Sequence, residues 1–132
     1  MKKIVSSLFL AILMLAFSTS AFAAAPNVVV NTPFSSISGN PTVYSYQPPI
    51  AWYQNDTDAN SYFAEYWILI YDESWNVVYD SGVVTQNTTQ KNMSVVVPTL
   101  PKNTTLAVGV SVKDNTGAWT SDTTVKFMYI EQ

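Results

Sequence analysis

Between Trp67 and Gly82 the chain reads WILIYDESWNVVYDSG, two extended segments written around a turn. Side chains of a strand alternate between its faces, so Tyr66, Ile68 and Ile70 share one face and Trp67, Leu69 and Tyr71 the other. The polar run Asp72–Asn76 interrupts the first segment. Val77-Val78-Tyr79 resumes the pattern, and Asp80-Ser81-Gly82 ends it. Period-two spacing closed by turn residues predicts a β-hairpin.

The same pattern predicts strands at Asn27–Asn31, Ile50–Tyr53, Tyr62–Tyr71, Val77–Tyr79, Met93–Val97, Thr105–Lys113 and Thr123–Ile130. Thr32–Asn40 is rich in Ser, Pro, Gly and Asn and predicts a loop. Thr42–Tyr46, bounded by Pro41 and by Pro48-Pro49, predicts an extended segment along a sheet edge, because proline cannot donate to a ladder. Val83–Asn92 is dominated by Thr, Asn and Gln and predicts a connection with at most one irregular edge strand. Beyond residue 23 no apolar period of 3.6 residues occurs. Frequent turns between short strands predict an all-β fold, a seven-strand antiparallel β-sandwich.

The front of the chain follows another rule. Lys2 and Lys3 precede an almost wholly apolar run, Ile4–Phe17, and Ala21-Phe22-Ala23 supplies small residues at cleavage positions. This predicts a bacterial-type signal peptide, residues 1–23, cut after Ala23. Ser18, Thr19 and Ser20 break the run short of the about 20 apolar residues a membrane span needs. Residues 24–47, a first strand and a Pro/Ser/Gly-rich loop, and residues 48–132 then form one domain. Its expected location is extracellular, or periplasmic or envelope-associated in a host with two membranes, and the mature chain is expected not to insert in a membrane.

After that cleavage the basic side chains are Lys91, Lys102, Lys113 and Lys126 against nine carboxylates, a net charge of about −5, with no Arg and no His. A phosphate backbone would be repelled, which excludes nucleic acid as a partner. Anionic lipid finds no basic patch either. Cysteine is absent, so no disulfide forms despite an oxidising destination, and stability must come from burial.

The segments Ile50-Ala51-Trp52, Asp56-x-Asp58, Tyr66-x-Ile68-x-Ile70-x-Asp72, Val78-Tyr79-Asp80-Ser81-Gly82, Leu100, Val108-x-Val110-x-Val112-x-Asp114, Gly117-x-Trp119 and Phe127 form one ordered set. Together they resemble fibronectin type III-like domains of the immunoglobulin-like class, above all the bacterial variety attached to extracellular glycoside hydrolases and surface proteins. The likeness runs over about residues 48–130. It implies a seven-strand sandwich with Trp52 in the core of the second strand, Leu100 plugging one end and Trp119 packing. Leu106 stands where the family usually has Tyr, so the corner hydrogen bond of that Tyr is not expected. Members usually stand in tandem with other domains, whereas a single one is expected here. A fold of this kind supports many functions.

Candidate chemistry is sparse. Asp56-Thr57-Asp58-Ala59-Asn60 imitates the opening of a calcium loop, but Ser61 sits where the sharp-turn Gly belongs and Trp67 where the bidentate Glu belongs. The segment is read as a polar turn, and no metal or other cofactor is expected. Asp72 and Glu73 are adjacent at a hairpin turn, and Glu65 has no evident second carboxylate, so the paired acids of glycoside hydrolysis are not assembled. A serine nucleophile would lack a histidine base. No catalytic residue is assigned, and the chain is expected not to be an enzyme. The Asn-x-Thr/Ser sequons at Asn55, Asn87, Asn92 and Asn103 are read as turns and strand ends.

The stronger signal is a face. With Tyr66, Ile68 and Ile70 inward, as the resemblance implies, Trp67, Leu69 and Tyr71 point outward beside a floor of Ala107, Gly109 and Ser111. The implied phase of the last strand puts Phe127 and Tyr129 inside and Met128 and Ile130 outside. An outward apolar ridge marks a contact surface, unless the Thr32–Pro48 loop covers it. Trp75, at the hairpin tip where a small residue would suffice, is a further candidate anchor. Trp67, Leu69, Tyr71 and Trp75 are therefore the candidate partner-binding residues of a non-catalytic binding module engaging another protein. The alternatives are a self-associating envelope or matrix subunit and a carbohydrate-binding module.

Overall fold

The computed structural model describes residues 24–58, 60–121 and 124–132. The expected signal peptide and the expected start of the last strand at Thr123 lie outside them. Eight strands form: β1 (Asn27–Thr32), β2 (Thr42–Tyr44), β3 (Ile50–Asn55), β4 (Phe63–Tyr71), β5 (Val77–Thr88), β6 (Asn92–Val95), β7 (Thr105–Asp114) and β8 (Lys126–Ile130). They make two sheets, one in the order β1-β3-β6 and one in the order β2-β8-β7-β4-β5. Among the described residues there is no helix.

The core lies between the sheets. Val30, Ile50 and Trp52 from the first sheet meet Ile68, Ile70, Val108, Val110 and Val112 from the second, and Leu100 joins the same cluster. Trp52 is 1% exposed and lies 5.2 Å from the Tyr66 ring. Its indole N–H donates to Gln54 Oε1 at 3.0 Å, and Gln54 is itself fully buried. The Gln54 amide in turn donates to the Gln90 carbonyl and to Gln86 Oε1. A buried polar group that keeps its partners is tolerated inside an apolar core.

Three features depart from the sequence reading. The sandwich has eight strands among the described residues, not seven, and it is not wholly antiparallel. The eighth is the expected edge segment, now β2, which lies parallel to β8 with Val43 beside Tyr129. Because β2 lies between β1 and β3 in the chain, yet sits on the other sheet, no hairpin dictates its direction. Second, β5 runs on to Thr88, so that the stretch expected as a connection with at most one irregular edge strand continues the hairpin strand itself. Its polar residues fit because β5 is the edge strand and because Gln86, turned inward, meets Gln54 rather than an apolar neighbour.

Third, the phase of β8 is reversed. Met128 and Ile130 are fully buried, while Phe127 and Tyr129 are half-buried on the outer face. The register explains this. Leu106 faces the core, and Met128 is its direct partner across the β7–β8 pair. Directly opposed residues share a sheet face, so Met128 must follow Leu106 inward.

Candidate functional site

The outer face of the five-stranded sheet carries the candidate residues. Ile68 and Ile70 are buried, so their strand neighbours Trp67, Leu69 and Tyr71 stand on the opposite face. Across the β4–β7 pair they meet Ser111, Gly109 and Ala107 respectively. Trp67 is 37% exposed, and Leu69 and Tyr71 are half-buried. At one end Trp119 packs edge-on against Trp67, 6.5 Å between centroids at 66°. At the other end Trp75 leans on Tyr71, 5.8 Å apart at 58°. The Trp119–Trp67 contact joins two residues that the sequence reading kept apart.

Hydrogen bonds fix both ends. The Trp67 indole N–H donates to Asp80 Oδ1 at 2.7 Å, and the Gly82 N–H donates to the same oxygen at 2.8 Å. The Gly82 bond, then that from Trp67, hold the Asp80 carboxyl below its ordinary pKa. The hairpin tip is built on Asp72. Its carboxylate accepts the N–H groups of Ser74 and Asn76, and its carbonyl accepts the N–H of Trp75. The Asn76 N–H is the main reason that the Asp72 pKa is lowered. Within this turn Trp75 is left-handed, φ 62°, and it is 59% exposed.

Beside the tip is a hollow of about 340 Å³. Trp75 and Phe127 stand among its lining residues, with Ala107, Gly39, Asp72 and Glu73. Glu73 Oε1 accepts the Thr105 N–H at 3.0 Å and so ties the tip to β7. Phe127 was missed as a surface residue because Phe127, Met128, Tyr129 and Ile130 are all apolar and their phase is unreadable from sequence. The Thr32–Pro48 loop borders the face without covering Trp67 or Trp75. The Phe127 N–H donates to the Ser35 carbonyl, and Ser38 and Gly39 reach the hollow, but Phe34 and Ile37 stay exposed.

The carboxylates divide into separate groups. Glu65 sits on β4 opposite Thr85 and Lys113, whereas Asp72 and Glu73 belong to the tip. Asp56 and Asp58, the calcium-like pair of the sequence, meet Asp114 from the far end of β7. One oxygen from each of the three lies within 4.8 Å of the others. Sequence spacing gave no hint of Asp114, since the fold alone brings it to the β3–β4 connection.

No family model matches the chain, and no curated protein matches it in sequence. Among solved structures, the α-L-rhamnosidase of Streptomyces avermitilis, in complex with L-rhamnose, is similar with a TM-score of 0.57. The match is 15% identical and covers 80% of this chain but only 11% of that chain. It is a likeness of fold, consistent with a two-sheet β-sandwich.

Proposed function

We propose that the chain is a secreted, non-catalytic binding module of fibronectin type III-like fold that captures a basic segment of another protein. Apart from β2, seven strands remain, split three and four between the sheets. Trp52 is buried on the second of these, as the resemblance implies, and Leu100 is buried in the core. These placements support the finer fold assignment.

The observation that carries the function is the hollow between Trp75 and Phe127. Its lining residues include two aromatics, Trp75 and Phe127, two acidic residues, Asp72 and Glu73, and the small residues Ala107 and Gly39. A Lys or Arg side chain uses all of these: its stem covers apolar surface, while its cationic head meets a ring face and a carboxylate. A net charge of about −5 after signal cleavage steers such a partner in and repels a second copy of the chain. A flat sugar ring needs a flat platform, and the Tyr71–Trp75 and Trp67–Trp119 pairs are tilted by 58° and 66°. Protein is therefore favoured over carbohydrate.

The test is selection of a random peptide library on the wild-type domain, with binding of the enriched peptides measured by Trp fluorescence. Enriched sequences are expected to carry Lys or Arg beside an apolar residue. Their binding is expected to fall at least about tenfold, or about 1.4 kcal/mol, in Trp75→Ala and in the Trp67→Ser/Tyr71→Ser double variant. Both variants should still unfold cooperatively. Peptides that bind these variants unchanged would place the working surface elsewhere. Saturable binding of oligosaccharides alone, or association of the ligand-free domain with concentration, would replace the proposal with one of its alternatives.

A further inference from the structure

We infer that Asp56, Asp58 and Asp114 form a calcium site that ties the β3–β4 connection to the end of β7. Asp56 and Asp58 follow the last residue of β3, and Asp114 is the last residue of β7. Two hydrogen bonds hold the segments together: the Asn115 N–H donates to the Tyr62 carbonyl, and the Tyr62 N–H donates to the Asn115 side chain at Oδ1. The carboxylates are thus brought together by the fold rather than by a flexible surface loop.

Acidic groups often gather at a surface without binding anything. Asp114 is different, being 1% exposed. Its Oδ1 is fully engaged, accepting the Thr116 N–H, the Thr116 hydroxyl and the Ala118 N–H. Its Oδ2 is buried with no donor, and so is Oδ2 of Asp56. Asp56 Oδ1 accepts the Asp58 N–H, and Asp58 Oδ2 accepts from the Ala24 nitrogen, which is the terminal ammonium once the chain is cut after Ala23. Two buried carboxylate oxygens therefore lack a donor, in a cluster of three like charges.

The charged neighbours acting on Asp56 are the carboxylates of Asp114 and Asp58. Burial, followed by these neighbours, pushes its pKa up, although the Asp58 N–H opposes the shift. Burial also works against the Asp114 carboxylate, but bonds from Thr116, Ala118 and the Asp56 side chain outweigh it and keep its pKa low. A buried Asp114 oxygen without a donor, gathered with oxygens of two further carboxylates, calls for a cation.

The ligand chemistry selects which one. All three donors are carboxylate oxygens, and the chain has neither His nor Cys, so a hard divalent ion fits and a soft one does not. Calcium takes oxygens at about 2.4 Å, so two ligands on opposite sides of the ion stand about 4.8 Å apart. The spread of the three oxygens stays within 4.8 Å. Asp56 and Asp58 are only half-buried, which leaves an open side where water completes the six to eight ligands that calcium accepts, on the order of what extracellular modules use. Magnesium demands a stricter octahedron at about 2.1 Å and gives up its waters reluctantly.

The site also touches the aromatic face. The turn capped by Asp114 leads directly to Trp119, which bridges Lys113 and packs on Trp67. Holding that turn holds one end of the face, but the calcium site stands whether or not the face binds a peptide.

The experiment uses the mature chain freed of metal by chelator. Calcium and magnesium are titrated by calorimetry, and thermal unfolding is followed with calcium or with EDTA. One calcium per chain is expected, in the range of about 10⁻⁴–10⁻³ M, with magnesium weaker and the melting temperature raised by calcium as mass action requires. Asp58→Asn, at a half-buried position outside the Asp114 cap, should keep the EDTA melting temperature within a few degrees and weaken calcium at least about tenfold. Asp56→Asn/Asp58→Asn should lose calcium binding altogether. Equal melting in calcium and in EDTA, with no calorimetric binding up to about 10 mM calcium, would overturn the site and leave a proton shared between Asp56 and Asp114. Calcium binding unchanged in both variants would overturn it too.

Discussion

Gln54→Met isolates the polar bridge inside the core. Methionine is unbranched and similar in length, so the substitution removes hydrogen bonds while leaving little change in volume. The Trp52 indole N–H, 1% exposed and bonded to Gln54 Oε1 at 3.0 Å, loses its acceptor. A buried donor left without a partner costs about 1–3 kcal/mol. The Gln90 carbonyl loses the Gln54 amide at 2.8 Å as well, but Gln90 is exposed, so water limits this loss to about 0.5–1 kcal/mol. The added apolar burial of the thioether returns about 1 kcal/mol. The net expectation is a loss of about 2 kcal/mol, or a fall in melting temperature of about 10 °C for a domain of this size. Urea unfolding followed by tryptophan fluorescence measures it. The same substitution in a Trp52→Phe background, where no indole N–H remains, should cost about 1 kcal/mol less. If Gln54→Met lies within about 0.5 kcal/mol of wild type, or costs the same in both backgrounds, the bridge contributes nothing and the reasoning fails.

Two further expectations concern other parts of the molecule. Trp52→Ala should cost roughly 3–5 kcal/mol by urea unfolding, as large aromatic truncations in a packed core do; melting within a few degrees of wild type would contradict the core assignment. Asp80 has a folded-state pKa below its unfolded value, so its bonds stabilise fully above the unfolded pKa and are lost as pH falls through the folded one. Trp67 emission, taken as the difference between wild type and Trp67→Phe, should therefore step on the acid side of the ordinary aspartate range. The step should vanish in Asp80→Asn, and one centred above that range would refute the Trp67–Asp80 bond.

What the sequence conveyed depended on contrast between faces. β4 and β7 were legible because each has a wholly apolar inner row, Ile68 with Ile70 and Val108 through Val112. β5 beyond Gly82 was not, because an edge strand with Gln86 paired to Gln54 carries no apolar alternation. β8 failed in the other direction: four apolar residues in succession define a strand but not its phase, and only the partner Leu106 fixes which way Met128 turns. The candidate face was readable in Trp67, Leu69 and Tyr71, which share a strand. Phe127 and Asp114 joined their neighbours through contacts distant in sequence, beyond the reach of any local pattern.

A turn selected for folding alone would carry glycine or asparagine at position 75, where φ is 62°. The chain places tryptophan there, in a conformation that costs an L-residue about 1–2 kcal/mol. The five-residue turn is nevertheless tied by bonds to both the carboxylate and the carbonyl of Asp72, and the ring already rests against Tyr71. Its rotational freedom is thus spent during folding, long before any encounter. Under the proposed function, a partner arriving at Trp75 would not need to freeze this side chain, a step that otherwise removes about 0.5–1.5 kcal/mol from association. On that proposal, the domain sacrifices a little of its own stability so that its most exposed tryptophan is held in one posture before any encounter.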